Sequence, residues 1–161
     1  MFGEIFGLPA HPLLVHFGVV FGPLLIVASV LYALVPVLRK HLGWVVLGLG
    51  AAAPAALWFA KLSGENLFQT LVDKGYPPQI LAQVDVHKNY GDAAAWAGLL
   101  LGAVSIALVL VCTSAARKPA TSGSKALVYG LSALVVALAV ATGYYVFMTG
   151  DSGAQAVWGT I

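Results

Sequence analysis

The chain has 161 residues, of which 60% are hydrophobic and 9% are charged, with a net charge of +2 and a mean hydropathy of +0.93. A soluble domain carries about 25% charged residues, so this composition excludes a soluble protein. The small net charge also argues against a basic surface for nucleic acid. We therefore expect a single-domain integral membrane protein whose main contact is the lipid bilayer.

Four segments are long and apolar enough to cross a bilayer as helices, which takes about 20 mainly apolar residues. They cover residues 12–38, 42–60, 93–113 and 126–148, and none has a charged residue in its interior. Uniformly apolar segments favour helices over barrel strands, which alternate apolar and polar residues. The sequence therefore predicts an all-α, antiparallel four-helix bundle, with a loop over 61–92 and a linker over 114–125.

Charge is distributed unevenly between the two ends of this bundle. The turns at one end carry five positive residues and no acid: Arg39, Lys40, Arg117, Lys118 and Lys125. All six acidic residues fall at the other end. Because positively charged loops remain in the cytoplasm, we expect both termini and the loop over 61–92 to lie outside.

The predicted outer loop contains two helical patterns separated by a break. Apolar residues between Leu67 and Val72 have helical spacing, which predicts a segment lying on the membrane surface. The sequence Gly75-Tyr76-Pro77-Pro78 then breaks the helix. After the break, four residues step by four, three and four positions and so share one helix face: Ile80, Val84, His87 and Gly91. The third helix is therefore expected to start outside the bilayer.

Proline and glycine predict where the other helices bend, pack and end. Pro23 and Pro54 fall inside the first and second helices, where each removes a backbone hydrogen bond. Glycines of the second helix, such as Gly50, predict a small face for close contact with a neighbouring helix. Gly150 predicts the end of the fourth helix, with Asp151 or a neighbour capping a short final helix.

Ionisable side chains from all four helices gather at the outer end in this topology. The candidates are His11 and His16 from the first helix, Glu65 from the second, His87 from the third and Asp151 from the fourth. Helical bundles build metal and cofactor sites from side chains on facing helices. An ionisable group within a membrane is a candidate for function, so we expect a ligand site in this layer.

Each candidate also has a structural interpretation. His16 lies about one turn inside the bilayer, so it is favoured as a ligand over His11, which can cap the helix. The two histidines are five residues apart, which corresponds to roughly 500° of helix rotation, so they cannot share one face. Glu65 can form an ion pair with Lys61, four residues earlier. Both His16 and His87 open a helix that runs inward, which is too little to establish an internal repeat. Two further candidates are expected to face water: His41 and Asp92.

Two chemistries fit these residues, and a role without a cofactor remains as a third alternative. Haem b needs two axial imidazoles from different helices and an apolar slot, which His16 and His87 could supply. Zinc, manganese or iron alone would use nitrogen and oxygen ligands, drawn from this set: His11, His16, Glu65, His87 and Asp151. Without a cofactor, the chain would be an accessory subunit of a respiratory or envelope complex.

Motifs of hydrolases and nucleotide-binding proteins are absent from the sequence, and no ionisable residue lies near the midplane to suggest a transporter.

Several motifs together resemble a known family. They are Gly-Leu-Pro-Ala-His-Pro-Leu-Leu-Val-His at residues 7–16, Ser-Gly-Glu at 63–65, the histidine at 87, and Gly-Asp-Ser-Gly-Ala-Gln-Ala-Val-Trp at 150–158. This combination resembles a bacterial integral membrane family known as domain of unknown function 2231, in its actinobacterial-type branch. Asp151 stands where the family pattern has a histidine, which favours a mixed ligand set over an all-imidazole site.

The resemblance implies four helices in the bacterial cytoplasmic membrane and no established activity. Some relatives are joined to Rieske or c-type cytochrome modules, which by analogy implies electron transfer on the outer side. The leading hypothesis from the sequence is therefore a redox membrane protein that binds haem b and exchanges electrons with a quinone or a partner protein.

Overall fold

Four long helices account for the fold in the computed structural model, which describes residues 4–115 and 122–159. They are α1 (Ala10–Leu34), α2 (Arg39–Asp73), α3 (Pro78–Ala115) and α4 (Ser122–Trp158). A short antiparallel pairing of β1 (Glu4–Ile5) with β2 (Leu8–Pro9) precedes α1. Each of the four helices is long and apolar enough to span a membrane, which confirms the predicted all-α membrane bundle.

The helices pack as an antiparallel bundle in which α1 and α3 lie on one diagonal. Both α1 and α3 pack against α2 and against α4. The start of α1 contacts the end of α2, and the start of α3 contacts the end of α4. We call this common layer, where α1 and α3 begin and α2 and α4 end, the cavity end.

The apolar core fills the bundle below the cavity end. One fully buried side chain comes from each helix: Leu25, Val46, Leu101 and Val135. Many large apolar side chains instead face outward, including Val20, Leu24 and Phe147. Since lipid tails are as apolar as these side chains, an outward apolar surface is what a membrane bundle requires.

The first helix ends four residues before the predicted boundary at residue 38. Pro36 opens a short 3-10 helix (Pro36–Leu38), and the residue before a proline is disfavoured in the helical conformation. The Arg39 guanidinium donates hydrogen bonds to the backbone oxygens of Tyr32 and Ala33, at 3.1 and 3.0 Å. These bonds satisfy carbonyls that the end of α1 leaves free.

The connection predicted as a loop over 61–92 is helical except for residues 74–77. α2 continues to Asp73 because nothing in its polar extension breaks a helix. The break at Gly75 is confirmed: its φ is +70°, its N–H donates to Val72 O, and the Tyr76 N–H donates to Leu71 O. This is a Schellman cap, in which glycine adopts the left-handed conformation. Pro78 then opens α3 at the position that helices prefer for proline.

The predicted end of the fourth helix at Gly150 is wrong, because α4 runs unbroken to Trp158. An isolated glycine costs a helix only about 1 kcal/mol, and no proline follows it. Ser152 caps no new helix; its hydroxyl donates to Met148 O, one turn earlier, at 2.6 Å. At the other end, α3 and α4 reach residues 115 and 122 and shorten the predicted linker. Arg117 and Lys118 lie outside the described residues.

The predicted close contact at the small face of α2 occurs at Gly50. A Cβ added to Gly102 of α3 would lie 2.5 Å from Gly50 O, whereas one added to Gly48 would meet nothing within 4 Å. We expect Gly102→Ala to destabilise the fold by about 1–3 kcal/mol, because the backbone atom it meets cannot move aside.

Thermal unfolding of the purified protein in detergent measures this effect. Gly48→Ala is the matched control and should leave the melting temperature unchanged or slightly raised, since alanine favours a helix. Equal melting temperatures for the two variants would contradict the close approach of α2 and α3.

Candidate functional site

A cavity of about 540 Å³ lies between the four helices at the cavity end. Its walls are mainly apolar, with side chains such as Val15, Leu57 and Val146. Leu57 fits between α1 and α3, where glycines at positions 18 and 98 leave room for it. The ionisable residues in the walls are His11, Lys61, His87, Lys88 and Asp92.

The helix face predicted for the start of α3 lines this cavity. All four of its residues contribute to the wall: Ile80, Val84, His87 and Gly91. Leu67 and Leu71 of α2 also line it, so the segment predicted to lie on the membrane surface instead supplies part of the wall.

His11 is held in the cavity by the last turns of α2. Its Nδ1–H lies 3.0 Å from Ala60 O and 3.1 Å from the Ser63 hydroxyl, which itself donates to Ala60 O at 2.8 Å. The imidazole packs against Gly64, where an added Cβ would lie 3.0 Å from its Cε1. A carbonyl only accepts hydrogen bonds, so the Nδ1 of His11 carries a proton.

His87 is held in the same way by the last turns of α4. Its Nδ1–H donates to Thr149 O at 2.9 Å, with the Ser152 hydroxyl 3.5 Å from the same nitrogen. The ring packs against Gly153, where an added Cβ would lie 2.9 Å from its Cε1. Each histidine thus contacts three groups of the neighbouring helix: a backbone carbonyl, the serine three residues after that carbonyl, and the glycine that follows the serine.

The two halves of the bundle therefore build matching halves of the site. Ser29 in α1 and Ser105 in α3 each follow their histidine by 18 positions, and both are 1% exposed. Val46 and Val135 likewise precede Ser63 and Ser152 by 17 positions, and both are fully buried. His87 corresponds to His11 in this repeat, so the sequence comparison of His87 with His16 does not detect it.

The two imidazoles face each other across the diagonal of the bundle. Their ring centroids are 6.1 Å apart and their planes are inclined by 76°. Because each Nδ1 carries the proton, a neutral ring keeps the lone pair on Nε2. Each ring therefore has one nitrogen, Nε2, that the anchoring hydrogen bond does not use and that can bind a metal ion.

His16, the favoured ligand from the sequence, does not line the cavity. It is exposed, and its Nδ1–H donates to Pro12 O of its own helix at 2.6 Å. The inward face of α1 steps from His11 through Val15 and Gly18 to buried Gly22 and Leu25, by four, three, four and three positions. Five residues from His11, His16 falls on a different face, so the structure pairs His87 with His11 instead of His16.

The other predicted ligands also lie apart from the histidine pair. Glu65 forms the expected ion pair with Lys61, and exposed Asp151 accepts a hydrogen bond from the Gln155 amide at 2.7 Å. Within residues 4–115 and 122–159, no three His, Cys, Asp or Glu side chains lie together in a way that could hold a metal ion. The five-residue metal set is therefore not assembled in the described structure.

An ionic cluster joins α2 to α3 in the cavity wall. Lys61 pairs with Asp92 at 3.3 Å as well as with Glu65, and Lys88 lies 3.8 Å from Asp92. Asp92, predicted to face water, is instead partly buried between the two lysines. His41 is exposed, as expected.

Four spanning helices around an apolar cavity define the class of this protein as a multi-pass α-helical membrane protein. Residues 7–160 match the family described as "Predicted membrane protein (DUF2231)". The chain belongs to that family, which confirms the resemblance found in its motifs. No curated protein and no solved structure matches the chain.

Proposed function

We propose that this membrane protein binds one haem b in the cavity through His11 and His87 and exchanges single electrons with a quinol or a redox partner protein. The observation that carries the proposal is the pair of anchored imidazoles facing each other in a cavity of about 540 Å³. His11 replaces His16 in the ligand pair that the sequence favoured.

The separation of the rings supports a single metal ion between them. A metal–imidazole bond is about 2 Å long and the ring centroid lies ~1 Å behind the nitrogen, so two imidazoles on one ion have centroids roughly 6 Å apart. The centroids of His11 and His87 are 6.1 Å apart. The separation therefore matches that of two imidazoles bound to opposite sides of one ion.

The surroundings of the rings support the same conclusion. Metal-ligating histidines usually donate their other N–H to a carbonyl or carboxylate, which fixes the ring and makes it a better ligand. Ala60 O and Thr149 O accept these bonds from His11 and His87. Haem held by two imidazoles supplies a reversible one-electron couple between ferric and ferrous iron. The protein would hold the two ligands in place through these carbonyls.

Two features favour haem over a bare metal ion. A zinc site takes four ligands in structural sites and three in catalytic ones, whereas the described residues bring only two imidazoles together. The cavity is also much larger than one ion needs. A cofactor-free accessory subunit would need neither the anchored pair nor the space between four helices.

Purification after haem-replete expression tests the proposal. We expect about one haem b per chain by the pyridine haemochromogen assay and one iron by elemental analysis. Stoichiometric metal without a porphyrin spectrum would favour the bare-ion alternative. Purified protein that contains neither metal nor haem would overturn the proposal.

Charge supports an outward-facing site. The cationic turns around Arg39 and Lys125 lie at the end opposite to the cavity, and such turns remain in the cytoplasm. In a Cys112→Ser background, we therefore expect Tyr76→Cys to react with an impermeant maleimide in intact spheroplasts. Lys125→Cys should react only after permeabilisation. The reverse labelling pattern would place the cavity end inside.

A further inference from the structure

The two matching halves of the site differ in one respect, the ionic cluster of the cavity wall. The ammonium groups of Lys61 and Lys88 and the carboxylate of Asp92 all come from α2 and α3. The walls from α1 and α4 carry no ionisable side chain apart from His11. A ligand between the histidines therefore meets charge on one side and an apolar wall on the other.

We infer that Lys61, with Lys88 beside it, binds a carboxylate of the cavity ligand and so determines which way round that ligand lies. This inference rests on the proposed haem site. Haem b has two propionate carboxylates on one edge and only methyl and vinyl groups on the opposite edge, which matches the uneven wall.

The charge balance of the wall favours an anionic group. Two ammonium groups line the cavity against the single carboxylate of Asp92. Glu65 pairs with Lys61 from outside the lining, and its side chain is 39% exposed. The cluster as a whole is neutral, but the residues that line the cavity carry one more positive than negative charge, because Glu65 lies on the more exposed side of Lys61.

Lys61 is held in place before any ligand arrives. Its side chain is only 13% exposed, and its ammonium lies 5.7 Å from the ring centroid of Trp58, which stacks edge-on against Trp96. An ammonium has three N–H donors, and the ion pairs with Glu65 and Asp92 use two of them. The third can bind a ligand carboxylate without breaking the cluster.

Haem b and its dimethyl ester, in which both propionates are neutral, test this inference directly. The full chain is expressed without haem supplementation, purified in detergent and titrated with each porphyrin, and binding is followed by the Soret band. We expect haem b to bind roughly tenfold more tightly than the ester, as for a hydrogen bond to a charged group. Lys61→Gln should remove most of this difference, and Lys61→Arg should retain it. Lys74→Gln, at an exposed position in the α2–α3 turn, is the control that should keep it.

The outcomes separate this inference from the proposed function. Equal affinities of the unmodified chain for haem b and its ester would overturn the role of Lys61 while leaving the histidine site intact. A preference for haem b that survives both Lys61→Gln and Lys88→Gln would also overturn it. If neither porphyrin binds, the proposed function itself is overturned. The comparison of the two porphyrins needs no variant, so misfolding of Lys61→Gln would not weaken the test.

Discussion

His11→Ala and His87→Ala are each expected to abolish stoichiometric haem binding. Either change removes one of two axial ligands and leaves an apolar gap where the imidazole packed against a glycine. We expect the Soret band per mole of purified protein to fall to a small fraction of the unsubstituted level, because the haem would lose one of its two protein ligands. Absorption spectra normalised to protein concentration measure this loss.

His16→Ala is the matched control for this experiment. It removes a histidine from the same helix, five residues from His11, but one that is exposed and lies outside the cavity. The haem content of His16→Ala should equal that of the unsubstituted chain. Full haem content in His11→Ala together with loss in His16→Ala would restore the ligand pair that the sequence favoured and contradict the one in the structure.

Gly153→Ala is expected to weaken haem binding roughly 10–100-fold, the range typical of changes in the groups that support metal ligands. Its added Cβ would lie 2.9 Å from Cε1 of His87, so the imidazole must move. Movement of the ring lengthens the hydrogen bond from its Nδ1 to Thr149 O and shifts Nε2 away from the metal. Titration with haem b, followed by the Soret band, measures the change in affinity.

Gly130→Ala provides the control on the same helix, because Gly130 does not line the cavity and an added Cβ there meets nothing within 4 Å. It should bind haem normally, and the gain in helix propensity of up to about 1 kcal/mol should stabilise the protein slightly. Equal haem affinities for Gly130→Ala and Gly153→Ala would show that the contact between Gly153 and His87 has no bearing on binding.

The membrane fold could be predicted from the sequence because hydropathy alone specifies which segments cross a bilayer. Helix lengths could not be predicted in this way. The thickness of a bilayer determines the length of the apolar part of a helix only. α2 continues beyond its apolar part to Asp73, through residues too polar to be counted in a spanning segment. Gly75 with two following prolines did predict the turn, because it supplies both a left-handed residue and a helix stop.

The layer that holds the site could also be predicted, as could the face of α3 that carries His87. The partner histidine on α1 could not, because depth in the membrane favours His16, and the rotation between His11 and His16 shows only that they lie on different faces and not which face is inward. The spacing from His11 to Gly18, Gly22 and Leu25 was a usable signal for the inward face. Ser63 and Ser152, which contact the two histidines, are indicated more weakly by the sequence, as a Ser-Gly pair in the second half of α2 and of α4.

Electron paramagnetic resonance of the oxidised protein tests the central claim most directly, since it reports both ligands of a haem iron and the angle between their planes. The imidazole planes of His11 and His87 are inclined by 76°, and near-perpendicular imidazoles give a highly anisotropic low-spin ferric signal. We expect that signal from the unsubstituted chain, and its disappearance in His11→Ala and in His87→Ala. A high-spin ferric signal, or protein that contains no haem after haem-replete expression, would contradict ligation by this pair.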